Sequence, residues 1–124
     1  MEILVIDDEM VMRSLITIAL QRQGYIVFNV DSPDEAIELL SVSIPDLIIL
    51  DIMMPGMNGF DLCRYIRLQA PEVPIVVFSA LDDAAAIENA YNAGASNYLH
   101  KLQLPNELVS VVTGILKPES PIFN

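Results

Sequence analysis

Apolar runs of strand length alternate with stretches of helical periodicity from one end of this chain to the other, and three of those runs end abruptly on polar side chains. Ile3-Leu4-Val5-Ile6 gives way to Asp7-Asp8-Glu9, Leu47-Ile48-Ile49-Leu50 to Asp51, and Ile75-Val76-Val77-Phe78 to Ser79. Four consecutive apolar residues suit a strand covered on both faces, and strands separated by helices suit a parallel sheet with crossover connections. The fold class expected is therefore α/β, a doubly wound parallel sheet. A charge at the end of a buried strand, such as Asp51, is the feature that packing alone does not account for.

The chain has 124 residues, enough for one domain with a real core and too few to expect two. Its apolar fraction is 53% and its mean hydropathy +0.48. Even so, no apolar run approaches the roughly 18 residues of a membrane span. Met1-Glu2 carries no basic region and Asp7 cuts the first run short, so a secretory signal is not expected and the cytoplasm is the expected compartment. The net charge is -11 with six basic residues, which argues against direct nucleic-acid binding because phosphate backbones need a basic face. The single cysteine, Cys63, excludes an internal disulfide and reads as a small buried hydrophobe.

Five strands and five helices can be placed. The first strand, Ile3 to Ile6, precedes a helix in which Met12, Leu15, Ile16 and Ala19 keep a helical spacing and Gly24 supplies the stop. A strand from Ile26 to Val30 leads to Ser32-Pro33-Asp34-Glu35, a capping box with proline at the first helical position, and a helix to about Val42. The third strand is Leu47 to Leu50. After the loop from Pro55 to Gly59 come a helix from about Phe60 to Leu68 and a strand from Ile75 to Phe78. Asp82 or Asp83 opens a helix that stops at Gly94. A short strand from Asn97 to Leu99 precedes His100-Lys101, and Pro105 opens a last helix with Leu104, Leu108, Val111, Val112 and Ile115 on one side.

In doubly wound sheets function collects outside the carboxyl ends of the strands, near the point where strand order reverses. With the order 2-1-3-4-5, the first and third strands are neighbours about 4.8 Å apart and Asp7 and Asp8 face Asp51. Carboxylates about 4 Å apart repel by roughly 4 kcal/mol per pair at an effective dielectric near 20, so three pairs cost on the order of 10 kcal/mol. A cation, or a proton held by a raised pKa, must relieve that repulsion. An oxygen-only cluster suits magnesium, or manganese in its place. Lys101, at the end of the fifth strand, can reach toward Asp51, and Ser79 adds a hydroxyl. Three carboxylates, one divalent cation and one ammonium cancel. A metal, an ammonium and a hydroxyl around an exposed carboxylate make a site for a phosphoryl group on that carboxylate. Taken singly, Asp8 or Glu9 reads as a turn or cap, and Lys101 as a solvated surface lysine. It is their joint placement at strand ends that points to chemistry.

These residues resemble the receiver domain of bacterial two-component response regulators. The motifs are Asp7-Asp8 after the first strand, Asp51 with Met54-Pro55 and Gly59, Ser79-Ala80 after the fourth strand, and Tyr98-Leu99-His100-Lys101. The resemblance runs from Glu2 to Leu116. It implies a flavodoxin-like sheet of order 2-1-3-4-5 with a receiver domain over 1–117, residues 118–124 being a C-terminal tail or the start of a linker. It further implies a phosphorylation-dependent switch in which Asp51 is the nucleophile, phosphorylated by a sensor histidine kinase, a phosphotransfer protein or a small donor such as acetyl phosphate. Asp8 would bind Mg2+ directly and Asp7 mainly through water, with Asp51 and the Met53 carbonyl completing the protein ligands. Lys101 and Ser79 would hold the phosphoryl oxygens. Ser79 moving inward would let Tyr98 follow, changing a face built from the fourth helix, fifth strand and fifth helix that meets a downstream protein or output domain. Such a domain is a switch with self-directed, magnesium-dependent phosphotransfer and autodephosphorylation rather than an enzyme acting on an outside substrate.

Two departures from the family pattern stand out. Leu102 follows Lys101 where most receivers carry a cis proline, and a cis bond before leucine would be costly, so the loop is expected to run differently. Leu102 and Leu104 are read as packing on the last helix. Met53 and Leu81 occupy positions flanking the phosphoryl site where polar side chains could orient an attacking water, which suggests slow self-hydrolysis. His100, the only histidine, is read as an outward surface residue. Three rival functions fit these residues less well. A flavin-binding protein would need a Ser/Thr/Gly-rich phosphate loop where Asp7-Asp8-Glu9 stands. An aspartate-nucleophile phosphohydrolase would need aspartate where Met53 stands. A non-phosphorylated pseudo-receiver acting by protein contact alone would not need the intact Asp7, Asp8, Asp51, Ser79 and Lys101 set.

Overall fold

A computed structural model describes residues 1–102 and 105–117. Its elements alternate as β1 (Glu2–Ile6), α1 (Met10–Gln21), β2 (Ile26–Val30), α2 (Pro33–Leu40), β3 (Leu47–Leu50), α3 (Gly59–Gln69), β4 (Ile75–Ser79), α4 (Ala84–Asn92), β5 (Asn97–His100) and α5 (Pro105–Leu116). The strands form one parallel sheet of order β2-β1-β3-β4-β5. This is the doubly wound order expected. The 118–124 tail and Leu104 lie outside the described residues.

The continuous apolar runs are explained by two cores, one on each face of the sheet. Leu4, Ile6, Ile48, Leu50, Ile75 and Val77 pack on one side with residues of α2, α3 and α4. Ile3, Val5, Leu47, Ile49, Val76 and Phe78 pack on the other with α1 and α5. Alternation along each strand therefore feeds both cores, and no strand position in β1, β3 or β4 after Glu2 is left for solvent. Cys63 is buried in the first core, and burial pushes its thiol up to about 11, so it stays protonated near neutrality.

Local signals position the helix ends. Ser32 Oγ accepts from Glu35 N at 3.2 Å and Pro33 opens α2, as the capping motif predicts. Asp83 caps α4 through Ala86 N at 2.7 Å, and Gly24 and Gly94 take positive φ just past α1 and α4. The predicted stripe of α1 is out of phase. Leu15 is exposed, and the buried seam is Ile16 and Leu20 with Met12 partly covered. Arg13, Ser14, Thr17 and Gln21 gather on one face and apolar residues take more than half of the circumference, so periodicity could not fix which part of that wide arc is buried; packing against α5 does. Helix α2 also ends at Leu40, two residues before the expected stop, leaving Val42 84% exposed.

Candidate functional site

Three backbone bonds continue the sheet ladder one residue past its strands and carry the polar residues to the carboxyl edge. Asp7 N donates to Val30 O (3.2 Å), Asp51 N to Ile6 O (2.9 Å) and Lys101 N to Ser79 O (2.8 Å). Asp7 and Asp51 are thereby held at the ends of adjacent strands. Both are 2% exposed, and Ser79 is fully buried. One carboxylate oxygen from each of Asp7, Asp8 and Asp51 lies within 4.8 Å of the others, a spacing that could hold a metal ion.

Lys101 crosses from the end of β5 into this cluster. Its Nζ lies 2.9 Å from Asp51 Oδ2, 3.0 Å from Asp7 Oδ2 and 2.6 Å from Glu9 Oε1. The other Asp51 oxygen, Oδ1, accepts from Met53 N at 2.9 Å, so both oxygens of that carboxylate are oriented by donors. Asp7 Oδ1 accepts from Glu9 N at 2.9 Å in the same fashion. Burial raises the Asp7 carboxyl above its ordinary value, against the pull of the Glu9 amide and of Lys101. Burial would lower the Lys101 ammonium, but its bonds to Glu9, Asp51 and Asp7 hold it well above the usual lysine value. Four carboxylates facing one ammonium leave three negative charges in excess. A hard divalent cation fits both that excess and the all-oxygen donor set.

Ser79 and Tyr98 are joined through the backbone of Leu81. Ser79 Oγ accepts from Leu81 N at 3.2 Å, and the Tyr98 hydroxyl donates to Leu81 O at 2.5 Å. Burial raises the Tyr98 phenol, which keeps it a donor. Met53 reaches solvent, whereas the Leu81 side chain packs against the core.

Two residues behave differently from their sequence reading. Leu102 does not pack on α5: it is 86% exposed, at a turn where its N–H donates to His100 Nδ1 at 3.0 Å. Among the described residues no peptide is cis. His100 is not an outward surface residue either. Its Nε2 lies 2.9 Å from Ala80 O and its ring is largely covered, so it ties the β5 end to the β4 end beside the pocket. Nδ1 accepting from Leu102 leaves Nε2 to carry the proton given to Ala80. Glu9 is the residue that sequence reasoning passed over. It stands at the N-cap of α1 but makes no side-chain cap bond, and its carboxylate goes to Lys101 instead. The signal was its place directly after Asp8, at the mouth of a pocket that needed the lysine.

A doubly wound sheet of this order, with an acid cluster and a lysine at its carboxyl edge, defines an α/β domain whose candidate site is at the strand ends. The chain belongs to the response regulator receiver domain family, whose sequence profile matches residues 3–113. It is 36% identical over 93% of its length to the DNA-binding response regulator MtrA of Mycolicibacterium paratuberculosis, covering 51% of that protein. It is 34% identical over 94% of its length to a probable transcriptional regulator, ycf27, of Guillardia theta, covering 45% of it. The chain thus spans about half the length of the curated relatives it matches. Among solved structures, a two-component response regulator from Clostridium difficile superposes with a TM-score of 0.90 at 29% identity, covering 94% of this chain and 95% of that one. A beryllofluoride-activated DrrB receiver domain gives 0.88 at 25%, covering 94% and 97%.

Proposed function

We propose that this receiver domain is a phosphorylation-dependent switch in the cytoplasm, with Asp51 accepting a phosphoryl group from the phosphohistidine of a sensor histidine kinase or phosphotransfer protein. The observation that carries this reading is the Asp51 carboxylate, buried yet held open between Lys101 Nζ and the Met53 amide with Asp7 and Asp8 alongside. One Asp51 oxygen bonds to phosphorus as the P–N bond of the donor breaks, and the leaving imidazole takes a proton from solvent. Lys101 then moves its bonds from the Asp51 carboxylate to the phosphoryl oxygens, and the Ser79 hydroxyl donates to another. Magnesium, or manganese, held by Asp7, Asp8, Asp51 and the Met53 carbonyl, would supply positive charge at those oxygens.

A Ser79 side chain that swings toward the phosphoryl group would stretch the bond it accepts from Leu81 N, and Leu81 O is the anchor of Tyr98. Release of one bond loosens the other, which gives phosphorylation a route to the face formed by α4, β5 and α5. That face would meet a downstream protein or output domain. The receiver unit is taken as 1–117, with 118–124 a tail or the start of a linker. The DNA-binding activity named for MtrA belongs to that longer protein; this acidic chain, which matches about half of it, reads as a regulatory module contacting neither DNA nor membrane itself. No helix among the described residues is long and apolar enough to cross a membrane.

Mass spectrometry after incubation with acetyl phosphate and magnesium tests the reading. The wild type should gain one phosphoryl adduct and Asp51→Asn none. No adduct, together with no binding of beryllium fluoride, would favour a pseudo-receiver acting by contact alone.

A further inference from the structure

Away from the strand-end pocket, one part of the sheet lacks its helical cover. Ile26, Phe28 and Val30 lie on the same face of β2 as Leu4 and Ile6 of β1, because the two strands pair in register Leu4↔Phe28 and Ile6↔Val30. Only Val30 is buried; Phe28 is 44% exposed and Ile26 56%. The reason is the length of α2. Its eight residues cover about 12 Å, so it protects the Val30 end of the strand and stops before the Ile26 end. Beyond it a cavity of about 260 Å³ opens between Leu4, Phe28, Leu39, Val42 and Pro45, and a second depression sharing Leu39 and Val42 continues it past Val30. The two form one apolar trough along the edge of the sheet.

Charge decides what suits it. The trough is rimmed by Glu2 at one end and by Glu35 and Glu38 at the other, and among the described residues no basic one lines it. A second copy of the chain would bring the same acidic rim against itself. An anionic membrane surface would be repelled likewise. A cavity just below the roughly 300–1,000 Å³ of pockets that engulf a whole small molecule is better filled by side chains presented from another surface. On a doubly wound sheet the missing layer is helical.

We infer that the trough between β2 and α2 docks a basic amphipathic helix of a partner protein, its apolar stripe seated on Phe28, Leu39 and Val42 and its lysines or arginines paired with Glu2, Glu35 and Glu38. This is the helix-in-groove mode of recognition with the flanking charges setting specificity. The trough is separate from the Asp51 pocket and does not depend on phosphorylation.

A synthetic peptide of about 15 residues, with leucines at helical spacing flanked by lysines and arginines, is the probe, titrated into the isotopically labelled 124-residue chain and followed by amide NMR shifts. Shifts should centre on Phe28, Leu39 and Val42. The exposed substitution Val42→Asp, which disturbs no buried contact, should weaken binding on the order of tenfold, the effect of losing one anchor of an interface. Glu35→Gln with Glu38→Gln should weaken it and flatten its salt dependence, and a peptide with glutamates in place of its lysines and arginines should not bind. Shifts centred elsewhere, equal binding of the glutamate peptide, or no shift up to about 1 mM would overturn the inference. So would self-association of the chain that Val42→Asp abolishes, since the occupant would then be a second copy. Because Val42→Asp should still take the acetyl phosphate adduct on Asp51, failure here and failure of the switch reading give different results.

Discussion

The Lys101 ammonium meets three carboxylates at once, and the shortest of those contacts, 2.6 Å, is to Glu9 rather than to Asp51. In the proposed phosphotransfer, Glu9 would add negative charge where an anionic donor arrives, and it holds the ammonium that the donor's oxygens would need. Glu9→Gln removes the charge and loosens the hold while leaving Asp7, Asp8 and Asp51 in place. Phosphorylation of Asp51 by acetyl phosphate should then half-saturate at severalfold lower donor concentration, with Glu9→Asp close to wild type; an unchanged or higher half-saturation in Glu9→Gln would sink the idea. At the two flanking positions the chain offers no polar side chain to orient water, Met53 reaching solvent and Leu81 packed on the core. Met53→Asn or Leu81→Glu should therefore speed loss of phosphate from Asp51, measured by the decay of the intact-mass adduct. Decay at the wild-type rate in both variants would remove the case for slow self-hydrolysis.

At the scale of elements, the start of α3 is the least forgiving junction. A Cβ on Gly59 would lie 2.3 Å from both Cα and O of Ile52, backbone atoms that cannot give way without moving the loop that follows Asp51. Gly59→Ala should lower the urea midpoint markedly and also displace the Met53 amide from Asp51, whereas Ser32→Ala, losing only an exposed cap bond at α2, should cost about 1 kcal/mol. A Gly59→Ala variant as stable as Ser32→Ala would show the junction to be slack. Elements with one possible buried face were legible in the sequence: Leu47 to Leu50 has no other reading, and its strand bounds agree residue for residue. Helix α1 was not, because Val11, Leu15 and Ile18 compete with Met12, Ile16 and Leu20 for the core and only the tertiary partner α5 chooses. The acid cluster was legible because strand order alone sets it. The contacts of Glu9 and His100 were not, since each depends on a side chain crossing between elements distant in sequence, Glu9 to Lys101 and His100 to Ala80.

For the whole molecule, the excess charge of the pocket ties folding to pH and, with the metal proposed, to that metal as well. The Asp7 carboxyl titrates above its ordinary 3.8 because burial disfavours its charged form. A folded-state value raised above the unfolded one means that the protonated group favours folding. That contribution is complete below 3.8 and is lost as pH rises through the higher folded value. The net charge of -11 acts in the same direction, through self-repulsion as carboxylates ionise. Lys101, raised above its ordinary 10.5, keeps its contribution throughout the neutral range and loses it only in strong alkali, so it does not mask the trend. Magnesium held as proposed would reverse the situation, since it would bind the ionised cluster of the folded chain and not the dispersed carboxylates of the unfolded one. At about 100 times its dissociation constant a ligand of this kind adds roughly 2.7 kcal/mol. Urea unfolding should accordingly show little magnesium effect near pH 4 and a clear rise in midpoint near pH 7.5, removed by chelator and by Asp8→Asn. If Asp8→Asn kept the full magnesium response, the ion would be acting elsewhere on this acidic surface, and the metal-binding reading of the pocket around Asp51 would have to be given up.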